Sequence, residues 1–198
     1  MLKNYALLLA ILLLTSACGA VNSDVAYRDQ PTYLELQKNP YLRQIVDWQG
    51  RLARENSTCA NCEKLSTWQD RVNSKGWDTS TVRAIVAESK ALTSYEIEIE
   101  DQWATPQEFA AKSYSGDCED IAIFIMSNLR SLGYPYEVRV LAVKTNFEDH
   151  ALVKIQMPDL SWQVFETVQT NAAADEIILT YTPIVEFDEK QIISHVTL

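Results

Sequence analysis

Three residues from distant parts of the chain have the types that nucleophilic chemistry needs: Cys118, His150 and Glu166. A thiol beside an imidazole attacks a carbonyl carbon once the imidazole takes its proton. A carboxylate on the other ring nitrogen then holds the imidazole in place. Cys118 lies in the run Gly116-Asp117-Cys118-Glu119-Asp120-Ile121. Gly116 interrupts what precedes, and Asp117 is a good N-cap, its carboxylate accepting from orphan backbone N–H groups. Apolar residues then recur at helical spacing to Leu132, with Gly133 and Pro135 beyond. The spacing predicts a helix beginning at Cys118, where the partial positive charge of the helix start favours thiolate over thiol. The same pattern also suits a buried, inert cysteine.

The elements that must bring His150 and Glu166 to this thiol lie in the second half of the chain. Residues 136–145, 149–157 and 162–170 alternate apolar and polar, with Pro158-Asp159 as a turn. A hairpin about that turn sets His150 and Glu166 near-opposite on neighbouring strands, within one register step. The plainer readings are a structural strand histidine and a solvent-facing glutamate. Further strands are expected in 177–187 and 191–196. The first half reads as helices: 32–55 with a break at Pro40, 62–75 ended by Gly76, and 81–92 capped at Asp78. A further helix starts at Thr105-Pro106, where Glu108 completes a capping box. Segment 95–100 reads as a short strand or an extended loop. Helices followed by meander-like strands predict an α+β fold with an antiparallel sheet.

The first 17 residues read as an export signal: Lys3, an apolar run from Tyr5 to Leu14, then small residues. Leu14-Thr15-Ser16-Ala17-Cys18 resembles a bacterial lipobox, with Thr15 where leucine is usual. It implies lipid modification of Cys18; a plain secretory signal is the alternative. Residues 18–31 form the anchor and a polar tether, and 32–198 a single domain. Of four cysteines, Cys59 and Cys62 are most simply a small disulfide in an exported protein, a redox pair or zinc half-site being less economical. Cys118 is left as the odd thiol. The chain carries 17 lysines and arginines against 27 acids, a net charge of −10, and loss of Lys3 with the leader makes it one unit more acidic. That balance argues against nucleic acid as a partner.

The segments Trp103-Ala104-Thr105-Pro106-Gln107-Glu108-Phe109, Gly116-Asp117-Cys118-Glu119-Asp120 and Asp149-His150-Ala151, in this order, resemble the bacterial transglutaminase-like cysteine proteinases, of the LapG-type periplasmic kind. The resemblance covers about residues 45–170. It implies a papain/transglutaminase-like fold: N-terminal helices and a cysteine helix packed on an antiparallel sheet. It implies a Cys-His-Asp triad in which Cys118 and His150 match and Glu166 stands where the family has aspartate. It further implies calcium held by Asp117, Glu119 and Asp120, and clustered carboxylates suit that ion chemically. The bland alternative makes Asp117 a cap and the other two complements of the helix dipole.

Three functions remain in competition. The first is a calcium-assisted cysteine endopeptidase acting on an exported or surface protein such as a biofilm adhesin. The implied setting is the periplasm, with a lipid anchor, in the outer rather than the inner membrane, and an inner-membrane receptor as regulator. The second uses the same residues for amide hydrolysis or acyl transfer. The third is a lipoprotein binding module without catalysis. Gln102 and Trp103 are the upstream candidates for an oxyanion donor besides the Cys118 N–H.

Overall fold

The computed structural model describes residues 31–55, 62–98, 102–168 and 181–195. Cys18 and Cys59 lie outside them, and the side chain of Cys62 is likewise outside the description, so neither lipidation nor the Cys59–Cys62 pairing is addressed.

The described elements follow the expected order. Helices α1 (Tyr33–Lys38), α2 (Pro40–Leu52), α3 (Cys62–Lys75) and α4 (Thr79–Ala91) come first. Then come β1 (Ser94–Tyr95), α5 (Pro106–Ala111), β2 (Ser115–Gly116) and α6 (Cys118–Ser131), and after them β3 (Val138–Lys144), β4 (Asp149–Gln156), β5 (Trp162–Phe165), β6 (Thr182–Phe187) and β7 (Ile192–Ser194). The local signals account for the boundaries. Asn39 caps α2 with its side chain, and Pro40 sits at the first position, where its missing N–H costs nothing. The Asp78 carboxylate accepts from Thr81 N–H at 2.6 Å. Gly76 and Gly133 both take φ +72°, the left-handed conformation that ends a helix most cheaply in glycine.

Five strands form an antiparallel sheet in the order β5-β4-β3-β6-β7, and β1 and β2 make a separate parallel pair. Helix α6 packs on β3 and β4, with α4 and α5 against its other sides. Surrounded in this way, it is apolar almost all round: Ile121, Phe124, Ile125 and Leu129 are at most 1% exposed. The faces of the sheet are distinct. Val140, Ala142, Ala151 and Val153 join the main core with α6, whereas Leu141, Val143 and Leu152 form a smaller cluster with Val164 and Tyr181 on the other face.

The Trp103-to-Phe109 segment ties the helices to the cysteine helix. Its Thr105–Glu108 capping box forms as expected. Arg51 of α2 ion-pairs with Glu108 and donates to the Trp103 carbonyl at 2.6 Å. Trp103 stacks on Phe187 with centroids 5.1 Å apart. That ring is therefore committed to the core. The Ala104 N–H donates to Asp120 Oδ1 at 2.6 Å, so this segment and the cysteine helix are joined directly.

Candidate active site

Cys118 is the first residue of α6, as its sequence context predicts, with Asp117 at the N-cap. Asp117 does not cap in the expected manner: its backbone holds the N-cap position, but its carboxylate makes no cap hydrogen bond. The carboxylates of Asp117, Glu119 and Asp120 instead converge, with one oxygen of each within 4.8 Å of the others.

That convergence reverses the expected state of the thiol. Cys118 is partly buried and its Sγ donates to Glu119 Oε2 at 3.3 Å. Burial pushes the thiol pKa strongly upward, and the charges of Glu119 and Asp117 push it further. The Ala151 N–H, hydrogen-bonded to the sulfur, opposes them without prevailing. The helix-start field favours thiolate by at most ~2 kcal/mol, and two adjacent carboxylates plus desolvation exceed it. Glu119→Gln is therefore expected to lower the thiol pKa and speed iodoacetamide alkylation of Cys118 at pH 7.5 by roughly three- to tenfold in chelated protein. Mass-spectrometric labelling rates check this; an unchanged rate would mean that Glu119 does not govern the thiol.

His150 is the second residue of β4, directly before Ala151. Its Nε2 lies 2.7 Å from Glu166 Oε1. A carboxylate accepting from Nε2–H leaves Nδ1 as the basic nitrogen. Glu166 is 7% exposed. Burial pushes its carboxyl up, but hydrogen bonds from His150 and the Val168 N–H outweigh this and hold it below the ordinary carboxylate range. Glu166 stands one residue past the end of β5 rather than inside a strand running to 170. There its carboxylate receives the Val168 N–H, and the Thr167 hydroxyl donates to the Ala151 carbonyl at 2.7 Å. Side-chain bonds thus take over where the ladder stops. With Val153 paired to Phe165, one further step sets Glu166 across from Leu152. His150 and Glu166 are therefore diagonal neighbours on one face, a longer span than direct opposition. Glutamate has one more methylene than aspartate with which to cover it.

The structure thus joins His150 to Glu166 and brings the sulfur to the peptide between His150 and Ala151. It makes no hydrogen bond from Cys118 to the imidazole. Strand alternation turns the His150 side chain toward the face of Val143 and Leu152, at the start of the strand where α6 begins.

Several supporting residues carried no local sequence signal. Tyr41 of α2 donates its hydroxyl to Asp149, beside His150. Tyr181 sets its ring edge-on to His150, centroids 6.2 Å apart. Lys90 of α4 donates to the Glu166 carbonyl at 2.7 Å. Each acts over a separation of 31 residues or more, which no periodicity reveals.

The acidic trio fits a hard divalent cation. All its donors are carboxylate oxygens. Asp120 is 1% exposed, and its Oδ2 is buried without a hydrogen-bond partner. Burial, with the Asp117 and Glu98 charges, pushes its pKa up to about 7, against the Ala104 hydrogen bond. Gly116 leaves the space that Asp120 fills: a Cβ there would collide with Asp120 Oδ2 and lie 2.9 Å from Phe109 Cε2. Gly116→Ala is expected to cost about 1–3 kcal/mol, read as a lowered urea midpoint at unchanged slope. An unchanged midpoint would show that the contact relaxes freely.

Comparison with solved structures follows this geometry. Calcium-bound LapG of Legionella pneumophila matches with a TM-score of 0.51 and 17% identity, over 77% of this chain and 88% of that chain. A second structure of Legionella pneumophila LapG gives 0.52 and 17% over 76% and 87%, and the EGTA-treated form 0.51 and 17% over 77% and 86%. No protein-family profile matches the chain, and no curated protein sequence does. Identity at this level speaks for the fold alone. The chain has the mixed α+β, transglutaminase-like fold of LapG, with Cys118 at the start of its central helix and His150 on the adjoining strand.

Proposed function

We propose that the mature chain is a thiol-dependent endopeptidase acting on an exported or surface protein such as an adhesin. One observation carries the reading: the His150–Glu166 pair, 2.7 Å long, sits one peptide link from the N–H that meets the Cys118 sulfur. In the reaction, Nδ1 of His150 takes the thiol proton as Sγ attacks the scissile carbonyl carbon. The Cys118 N–H, an unsatisfied donor at the start of a helix, receives the developing oxyanion. The C–N bond then breaks and the leaving amine departs with the proton returned by His150. Water, deprotonated by the same nitrogen, releases the acyl group and restores the thiol. Glu166 holds the ring and stabilises the imidazolium throughout.

Asp117, Glu119 and Asp120 would hold calcium. When bound, the ion supplies positive charge against the carboxylates that keep the thiol protonated. Residues 1–17 then serve as the export signal and Cys18 as the lipid anchor, so the domain works at the periplasmic face of a membrane. Among the described residues no helix is long and apolar enough to cross one.

The protonated thiol favours a second reading, a binding module on the same fold. The two separate on incubation of the mature protein with a panel of exported and surface proteins, in calcium or in EGTA, reading new N-termini by mass spectrometry. The peptidase reading expects cleavage in calcium and at least about a tenfold lower rate in EGTA. Labelling of Cys118 without cleavage of any candidate would leave the module.

A further inference from the structure

We propose that the outer edge of β1 at Tyr95 docks the substrate: an extended peptide adds to it as a strand, and the side chain of the residue paired with Tyr95 enters the adjoining cavity. This deepens, and rests on, the peptidase reading.

The strand geometry comes first. In the parallel β1–β2 pair, Ser94 faces Ser115 and Tyr95 faces Gly116. The Ser94 N–H donates to the Tyr114 carbonyl at 2.9 Å and the Glu96 N–H to the Gly116 carbonyl at 2.8 Å. Successive residues of a strand direct their peptide groups to opposite edges, so the N–H and C=O of Tyr95 point away from β2. Residues 94–97 are exposed throughout, and Tyr95 is 45% and Ile97 76% exposed. An outward-facing N–H and C=O on an exposed strand form a ready template for one more strand.

The cavity is the second observation. Tyr95 lines a space of about 340 Å³ together with Ala87, Lys90, Ala91, Ile121 and Val168. Ile121 lies three residues into α6 from Cys118. Thr167, also in the wall, donates to the carbonyl of Ala151, the residue whose N–H meets the sulfur. The cavity therefore lies between the helix of the thiol and the strand end that carries Glu166. Burial against this wall raises the pKa of the Tyr95 phenol.

A residue that exchanges both hydrogen bonds with Tyr95 is an antiparallel partner, and its side chain falls on the same face as that of Tyr95. That face is the cavity side. Two alanines, Ile121 and Val168 make half of the lining, with Tyr95, two threonines and Lys90 the rest, and the Lys90 ammonium is engaged in donating to the Glu166 carbonyl. The site therefore takes a branched aliphatic side chain from an extended segment, and the scissile bond follows within reach of Cys118.

The test uses three alkylating probes on the full mature chain in calcium buffer: iodoacetamide, an acetylated valine-valine-alanine chloromethyl ketone, and that ketone N-methylated at its central residue. Cys118 labelling is read by mass spectrometry. The peptidyl ketone is expected to react at least about tenfold faster than its N-methylated form, as befits loss of one backbone bond and its neighbour's alignment. Tyr95→Pro, which removes the N–H that would donate to the peptide's central carbonyl, should slow the unmethylated ketone about tenfold relative to iodoacetamide, while Tyr95→Ala, which keeps that N–H, should lose much less. Equal rates for the two ketones in the unaltered protein overturn the docking edge while leaving the nucleophile intact. If iodoacetamide labels Cys118 but neither ketone does, the edge is likewise rejected. If no probe labels Cys118, the peptidase reading falls, and the docking edge with it.

Discussion

Cys118→Ala is expected to lower kcat/KM for peptide hydrolysis by about 10⁴-fold or more, because the sulfur is the only atom in the site that forms the acyl bond. Glu119 loses its thiol donor in this variant, and a small, partly buried side chain shrinks. The expected stability change is therefore about 1 kcal/mol, well short of unfolding. Cys118→Ser separates shape from chemistry. It keeps a donor for Glu119, yet a hydroxyl is far harder to ionise than a thiol, so it should be nearly as inactive. Rates of appearance of new N-termini measure both variants. Substantial cleavage by Cys118→Ala would remove the nucleophile from the scheme, whatever the fold resembles.

Glu166→Gln is the second large effect, about 10²- to 10⁴-fold in kcat with little change in KM. The carboxylate accepts from Nε2–H and so makes Nδ1 basic. An amide can instead turn its NH₂ toward Nε2, which favours the tautomer with hydrogen on Nδ1, the nitrogen that must take the thiol proton. Glu166→Asp should cost less, about tenfold, by shortening the reach across the diagonal pair. Thermal melts must accompany the kinetics, since Glu166 also receives the Val168 N–H. The sign of its contribution to stability is set by its depressed folded pKa. That contribution is present above the ordinary glutamate pKa of 4.5 and is lost as pH falls through the lower folded value. A fall in kcat matched by a fall in melting temperature across the series would indicate a structural carboxylate only.

Helix boundaries were legible because their causes are local. Asp78, the Thr105–Glu108 box, Gly76 and Gly133 act within one turn of chain, and each does in the structure what its type implies. Strand alternation likewise exposed the hairpin that carries His150 and Glu166, because side-chain period and turn chemistry are both read over a few residues. Register was less legible: Glu166 falls across from Leu152, two residues from His150 rather than within the one step expected. The diagonal offset follows from the Val153–Phe165 pairing, which depends on how the hairpin turn closes. Trp48 carries no local sign of its place in the core, yet it is fully buried against Phe187. Its partner comes 139 residues later.

The thiol shows most clearly where sequence reasoning reaches its end. Residue types alone determined that Cys118 opens a helix, that three acids flank it, and that one hairpin carries both a histidine and a carboxylate. Whether that thiol is charged depends on a balance between the helix-start field, desolvation and the placing of the carboxylates. Those terms vary with distance and burial, neither of which is written in residue order. Tertiary packing decided the balance: it turned the Asp117 carboxylate away from capping, buried Glu119 and Asp120, and set the Ala151 N–H against the sulfur. It also brought Tyr41, Lys90 and Tyr181 to the histidine and its carboxylate, since contacts between distant segments form only when the whole chain has closed.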